Sequence, residues 1–280
     1  MSQAMALHLA PLRPYLQLMR LTFLKLMAYR MRYVTGIVTY GVFVGGQYAI
    51  WRAIYAARGP LNPLINGMTL HELTTYLAIG YIARSAYFTN TDSEIAARFQ
   101  SGDVALDLLK PLAFHGQWIA QAAGETAFRV LFFALPMALA LVPLFGVSMP
   151  VGNGWWQFPV LFVCAFLVNT ELNLMAGTLC FFLEDITGMM SFKRSVIMLL
   201  SGLMVPLNFL WPVVATATLA LPFALISYYP TMAYVGKLGT HGSLGFPAVM
   251  LVAVVWLATL RLANYLLWAK AQRQLEVQGG

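Results

Sequence analysis

The chain has 280 residues, of which 60% are hydrophobic and only 10% are charged, and its mean hydropathy is +0.72. Because a soluble domain of this length does not need so much apolar surface, the composition excludes a water-soluble globular protein and indicates an integral membrane protein. The formal net charge of +7 is spread too thinly for a nucleic-acid-binding surface, and we interpret it as a signal of membrane topology.

An interfacial helix is predicted within residues 1–32, which we treat as a cytoplasmic N-terminal segment. The segment carries five basic residues and lacks an uninterrupted apolar core, so it does not have the pattern of a signal peptide. Its apolar side chains recur at 4-3-4-3 spacing, at Leu12, Leu16, Met19, Phe23 and Leu26. This spacing predicts a helix on the anionic inner surface of the membrane, and a buried helix of a soluble subdomain is the alternative.

Six membrane spans are predicted in the transmembrane region, residues 33–268, so the fold class is an all-α integral membrane protein. The spans cover residues 33–57, 70–88, 117–145, 155–183, 195–211 and 246–268. Between the last two, residues 212–236 are uncharged but are interrupted by Pro212, Pro222 and Pro230. These prolines favour two half-helices that enter the outer leaflet. Residues 269–280 follow as a cytoplasmic C-terminal tail.

The distribution of basic residues predicts the orientation of the spans. One side carries the N-terminal segment together with Arg84, Arg98, Lys110, Lys193, Arg194, Arg261, Lys270 and Arg273. The opposite side has only Arg52, Arg58 and Lys237. Because cytoplasmic loops carry an excess of lysine and arginine, both termini and the connection between spans two and three are predicted to be cytoplasmic.

The connection between spans two and three, residues 91–112, is predicted to form two short amphipathic helices. Thr91 and Glu94 have the spacing of a capping box, Gly102 breaks the first helix, and Asp103 can cap the second. Such helices either lie on lipid or dock into a soluble partner. Adsorption to an anionic leaflet is disfavoured by four acidic residues, which are Asp92, Glu94, Asp103 and Asp107. We therefore favour docking.

Three ionisable residues fall well inside predicted spans three and four. Glu125 and Arg129 have the i, i+4 spacing of an ion pair, and they either take part in a transport path or lock helices together. Glu171 either faces a polar pathway or pairs with Arg129 from the neighbouring span.

Aromatic side chains are frequent near the predicted outer surface. We consider Phe209, Phe223 and Tyr229 as candidates for an outer gate, and an aromatic belt at the membrane interface is the favoured alternative.

No pattern typical of catalysis or cofactor binding is found in the sequence. It has no GxxxxGK[ST] loop, no HExxH motif and no Ser-His-Asp grouping. The four histidines, His8, His71, His115 and His241, have no ligand spacing. Cys164 and Cys180 would lie roughly 24 Å apart on one helix, too far for a disulfide. We expect no metal site, no cofactor and no enzymatic activity in this chain.

With these features in place, the chain resembles a permease subunit of the ABC type-2 exporters. The first motif runs from Ile95 through Gly102-Asp103 to Leu108-Leu109-Lys110-Pro111-Leu112. The second comprises Gly202, Pro206-Leu207 and Phe209 to Pro212. The third comprises Leu221-Pro222-Phe223, Tyr229-Pro230 and Gly236-Lys237. Together with the six-span layout, the resemblance covers nearly the whole chain.

The resemblance implies a separate cytoplasmic ATPase that carries ATP and Mg, and a second permease chain, identical or homologous. It also implies that the connection between spans two and three is a coupling helix seated in a groove of the ATPase. The residues assigned to this interface are Glu94, Ile95, Arg98, Phe99, Asp103 and Leu106. Among them, Phe99 and Leu106 are the expected apolar anchors. A self-contained channel or secondary carrier is the alternative function, and a membrane enzyme is less favoured.

Overall fold

The computed structural model describes residues 12–28, 34–59, 64–183, 186–240 and 242–278. Over this part of the chain the regular elements are helices, with an isolated bridge between Ile65 and Met68. The longer helices are α1 (Arg13–Met27), α2 (Val34–Arg58), α3 (Leu70–Tyr87), α4 (Thr91–Gln100), α5 (Val104–Leu108), α6 (Phe114–Arg129), α7 (Leu135–Phe145), α8 (Gly154–Leu179), α9 (Ile186–Leu200), α10 (Pro212–Leu219), α11 (Tyr228–Tyr234) and α12 (Phe246–Gln278). A π-helical turn, Val130–Ala134, joins α6 to α7, and short 3₁₀ turns occur at Leu207–Phe209 and Pro222–Leu225. His8, His241 and parts of the predicted N-terminal segment and first span lie outside the described residues.

Three helices among the described residues are long and apolar enough to cross a membrane: Phe114–Phe145, Gly154–Leu179 and Phe246–Arg273. A fourth span is possible if Pro212–Leu219 and Pro222–Tyr234 count together, although these two segments meet at a bend of 74°. The chain is therefore a multi-pass membrane protein with an all-helical described fold. The bent pair lies where the prolines predict two half-helices.

The fifth predicted span, residues 195–211, is wrong as a helix. The helix in this region begins at Ile186 and ends at Leu200, and the chain then turns at Gly202, whose φ is +74°. A side chain at Gly202 would contact Leu207 and Tyr228 at 3.0 Å, and the Gly202 carbonyl accepts a 2.6 Å hydrogen bond from Tyr76. Hydropathy could not reveal this turn, because the surrounding side chains are apolar on both sides of it.

α8 forms the centre of the protein, and the other spanning helices lie around it. It packs against α4, α11 and α12, and most of its apolar segment is buried within the chain. The apolar segments of Phe114–Phe145 and α12 are mostly exposed, as expected for helices that face lipid. α12 continues beyond residue 268 to Gln278, so the predicted tail is a continuation of this helix over its described residues.

The N-terminal helix α1 lies directly on α6. The backbone carbonyl of Met19 fits so closely against Gly124 that no Cβ could be accommodated there. Nearby, the Tyr15 ring occupies the space beside Gly116, and Phe23 packs edge-on against Phe128 at 5.9 Å between ring centroids. Glycine on α6 therefore permits the helix–helix contact that places α1 beside the connection between α3 and α6.

Candidate functional site

The connection over residues 91–112 folds into two short helices, α4 and α5, as predicted. Gly102, with a φ of +79°, separates them. The predicted capping box at Thr91 is wrong, because the Thr91 hydroxyl lies 3.1 Å from the Thr89 hydroxyl and Asn90 precedes the helix without a side-chain cap. Asp103 likewise does not cap α5 and instead accepts a 2.9 Å hydrogen bond from the Ser101 hydroxyl.

The inner face of α4 is fixed to α8. Ile95 is 1% exposed and occupies the space beside Gly177, where a Cβ would lie only 2.9 Å from the isoleucine side chain. The assignment of Ile95 to the ATPase interface stays a prediction, and within this chain its side chain is buried against α8. Glycine at position 177 is what lets α4 approach α8 this closely.

A buried ion pair fastens the start of α4 to α9. The Asp92 carboxylate is buried and accepts a 2.5 Å contact from the Lys193 ammonium. Lys193 also donates to the Asn173 side chain at 2.6 Å, and Asn173 in turn donates to the Thr89 carbonyl at 3.1 Å. Sequence reasoning missed this network, because its members lie on three elements far apart in the chain.

Asp107 holds the second half of the connection in place. Its carboxylate is buried and accepts hydrogen bonds from Arg98 at 2.8 Å and from Lys110 at 2.6 Å. The Gln117 side chain donates to the Asp107 carbonyl at 3.2 Å. The Arg98 guanidinium also lies over the Trp118 ring, 5.5 Å from its centroid. Arg98, which the resemblance assigns to the ATPase interface, is partly exposed and links the two short helices.

An aromatic cluster packs against the connection over residues 91–112. Phe99 is half-buried and contacts Phe181, with 4.4 Å between ring centroids. Phe181 packs edge-on against Trp268, and Trp268 stacks on Phe114 at 3.8 Å. The role of Phe99 as an apolar anchor in the ATPase groove stays a prediction, and within this chain its ring also belongs to this cluster. Trp268 brings α12 into contact with the connection, and nothing in the local sequence indicates this.

Three leucines and two acidic residues are among the exposed side chains of the connection. Leu109 is 81% exposed and Leu106 is 60% exposed, and Leu108 is also exposed; we call these three residues the leucine surface. Glu94 and Asp103 are exposed beside it. Leu108 and Leu109 were not assigned to the interface from sequence. The signal that could have found them is the shortness of α5, which leaves successive leucines pointing outward at its end.

The intramembrane charges form two separate ion pairs. Arg129 and Glu125 pair at 2.7 Å, and each side chain is about a tenth exposed, which confirms the pairing predicted from their spacing. Glu171 does not pair with Arg129. Its carboxylate instead lies 3.3 Å from Arg261 and accepts a 2.7 Å hydrogen bond from Asn264. The predicted alternative, in which Glu171 pairs with Arg129, is not found because the Glu171 carboxylate faces α12.

The outer aromatics mostly belong to the interior. Tyr229 is fully buried, its hydroxyl donates to the Leu219 carbonyl at 2.9 Å, and its assignment as a gate residue stays a prediction. Phe209 packs edge-on against Trp51 at 5.4 Å, and Phe223 is partly buried against the core. Trp211 is 81% exposed and is the residue of this region that fits an aromatic belt.

Comparison with known proteins finds a family model that matches this chain. The family described as ABC-2 family transporter protein matches residues 21–279, which is nearly the whole chain. A search of curated proteins finds no match.

Proposed function

The chain belongs to the ABC-2 family of transporter membrane proteins, and from this membership we propose that it is the permease subunit of an ATP-driven exporter. The observation that carries the proposal is the leucine surface. Three exposed leucines stand on a connection whose other side is fixed by Ile95, Asp92 and Asp107. A rigidly braced apolar projection is suited to docking in a groove of a soluble partner.

The proposed partner is a cytoplasmic ABC ATPase, and the leucine surface is its docking site, with Glu94 and Asp103 at the rim. Two permease chains, identical or homologous, assemble with two ATPases, which carry ATP and Mg. The substrate is amphiphilic or drug-like, a lipid or a glycan, and is taken from the cytoplasm or the inner leaflet. Binding of the ATPase at the connection is transmitted to the spans through α4, which packs directly on α8.

The proposed topology has six membrane crossings. Three are the long apolar helices, and the other three are α2, α3 and the region from the start of α9 to residue 211. Both termini and the leucine surface face the cytoplasm of the cell inner membrane or plasma membrane. Basic residues support this orientation, since they are concentrated on the side that carries Arg98, Lys110 and Lys193.

Cysteine labelling tests the orientation. Positions near the termini, such as Ser2 and Gly279, lie outside the described residues, so exposed positions within the structure serve better. In sealed right-side-out vesicles, a membrane-impermeant maleimide is expected to label Asn153→Cys but to label Gln272→Cys only after permeabilisation. The native Cys164 and Cys180 are buried, so we expect little background labelling from them. Labelling of Gln272→Cys in sealed vesicles would reverse the topology and remove the leucine surface from the cytoplasm.

Purification from native membranes tests the assembly. We expect the full chain to co-purify with an ATPase subunit, with one ATPase for each permease chain in the complex, and ATP hydrolysis to follow the ATPase subunit. The chain separated from its partner is expected to hydrolyse no ATP, since its sequence has no phosphate-binding loop. Sustained hydrolysis by a preparation that mass spectrometry shows to be free of other ATPases contradicts the proposal, as does transport that continues without any partner.

A further inference from the structure

A polar crevice of about 300 Å³ lies between α1, α4 and the start of α6. Its charged lining consists of Lys25, Arg98, Lys110, Glu94 and Glu125, and Gln121 adds an amide. Glu125 lies roughly 16 Å along α6 from Phe114, at 1.5 Å per residue. The crevice therefore extends from the exposed connection toward the depth of the intramembrane ion pair, along the side of the interfacial helix.

Some charged side chains of the crevice have an ion-pair partner within the chain, and others do not share one equally. Glu125 is paired with Arg129, and Arg98 and Lys110 share the single carboxylate of Asp107, which leaves one positive charge in excess. Lys25 and Glu94 are exposed at the mouth, on facing elements. A ligand that completes this arrangement carries an anionic group for Lys25 and Lys110 and a cationic group for Glu94.

The rim of the crevice is apolar. Leu18, Leu21 and Leu26 line it from α1, and Leu21 is 62% exposed. Leu18 and Leu26 are partly buried, and all three leucines lie on the helix that the sequence predicts at the membrane surface. An apolar rim beside a charged pocket at this depth matches a molecule with a polar head and hydrocarbon chains.

We propose that this crevice binds the headgroup of a phospholipid that carries phosphoethanolamine. The phosphate lies against Lys25 and Lys110, the primary ammonium donates hydrogen bonds to Glu94, and the acyl chains leave the crevice over Leu18 and Leu21. A headgroup with only negative charge leaves Glu94 unmatched, and a quaternary ammonium has no N–H to donate to its carboxylate. The site depends on the membrane setting of the chain, and it shares Glu94 with the rim of the proposed ATPase docking site.

Lipid retention by the full chain tests the proposal. Native mass spectrometry of the purified chain, supplied with equimolar phosphatidylethanolamine, phosphatidylcholine and phosphatidylglycerol of matched acyl chains, measures the bound fraction of each. We expect the ethanolamine lipid to be retained in preference to the other two. In the chain purified without its ATPase, Glu94→Gln removes the preference for the ethanolamine lipid over the choline lipid, whereas Lys25→Gln weakens all three lipids by roughly tenfold, the effect of one charged hydrogen bond.

Arg20→Gln is the matched control for Lys25→Gln, since Arg20 is exposed on α1 but does not line the crevice. It is expected to retain the lipid preference of the unaltered chain. Equal retention of choline and ethanolamine lipids by the unaltered chain overturns the proposal, and so does an equal loss in Arg20→Gln, which indicates non-specific charge attraction. Displacement of the lipid by soluble phosphoethanolamine at equal concentration assigns the site to a free phosphoamine and overturns the lipid source.

Discussion

Replacing Leu106 and Leu109 together with aspartate is expected to lower the affinity of the chain for its ATPase by roughly a thousandfold, the sum of two hot-spot side chains at about 2 kcal/mol each. Both leucines are mostly exposed in the free chain, so their burial can occur only against a partner. Aspartate removes the apolar contact and adds the cost of dehydrating a carboxylate in a groove. Co-purification with the ATPase and substrate-stimulated ATP hydrolysis both measure the loss.

The effect on the fold should be small, because neither leucine is part of the packed interior. Thermal unfolding of the double variant is expected to match that of the unaltered chain. Gln272→Asp is the control for an added carboxylate, since it places one negative charge, against two in the double variant, at an exposed position of α12. Phe99→Ala should show the opposite pattern, with lower thermal stability from the loss of its contact with Phe181. Undiminished ATPase binding by the leucine double variant would exclude the leucine surface as the docking site.

The position of this surface in the chain could be predicted from sequence, but its orientation could not. The charged stretch between two apolar segments and the break at Gly102 are local features, and both are found in the structure. Which side of α4 faces inward is decided by Gly177, about eighty positions further along the chain, because only a residue without a side chain admits Ile95. Periodicity places Ile95 and Phe99 on one face, but it cannot tell that α8 covers that face.

The capping motif shows the same limit at shorter range. Thr69 and Glu72 form a complete capping box at the start of α3, with the Glu72 side chain accepting from the Thr69 backbone at 2.8 Å. Thr91 and Glu94 have the same spacing without the bonds. Thr91 is buried beside Thr89, which offers its hydroxyl a nearer partner. The spacing of residues therefore permits the motif, and competition from neighbouring polar groups decides whether it forms.

Arg129→Ala is expected to destabilise the chain by about 3–5 kcal/mol, the usual cost of breaking a buried ion pair by removing one partner. Each side chain of the Glu125–Arg129 pair is only about a tenth exposed, so the remaining carboxylate is poorly hydrated and must protonate or draw in water. The Glu125→Ala, Arg129→Ala double variant should recover part of this loss. Thermal unfolding of both single variants and the double variant forms the cycle, and purely additive losses would reject a coupled pair.

The Glu171–Arg261 ion pair serves as a comparison for the Glu125–Arg129 pair, because one of its two side chains is exposed. The Arg261 side chain is 48% exposed, so water can replace the carboxylate as its partner, and such pairs contribute about 1 kcal/mol or less. The side chain of the buried Asn264 also donates to the Glu171 backbone carbonyl at 2.9 Å, a bond that a change of the Glu171 side chain does not remove. Glu171→Gln is therefore expected to fold with nearly unchanged stability.

That near-normal stability makes Glu171 the better probe of transport. If Glu171 lines the substrate path, loss of its charge should reduce export of cationic substrates more than export of neutral ones, measured with the complex reconstituted in vesicles. Arg261→Gln is the matched variant, since it breaks the same ion pair from the other side while leaving the carboxylate in place. It should spare or increase export of cations. Equal transport of every substrate by both variants would assign Glu171 to helix packing against α12, because its charge then affects neither stability nor selection.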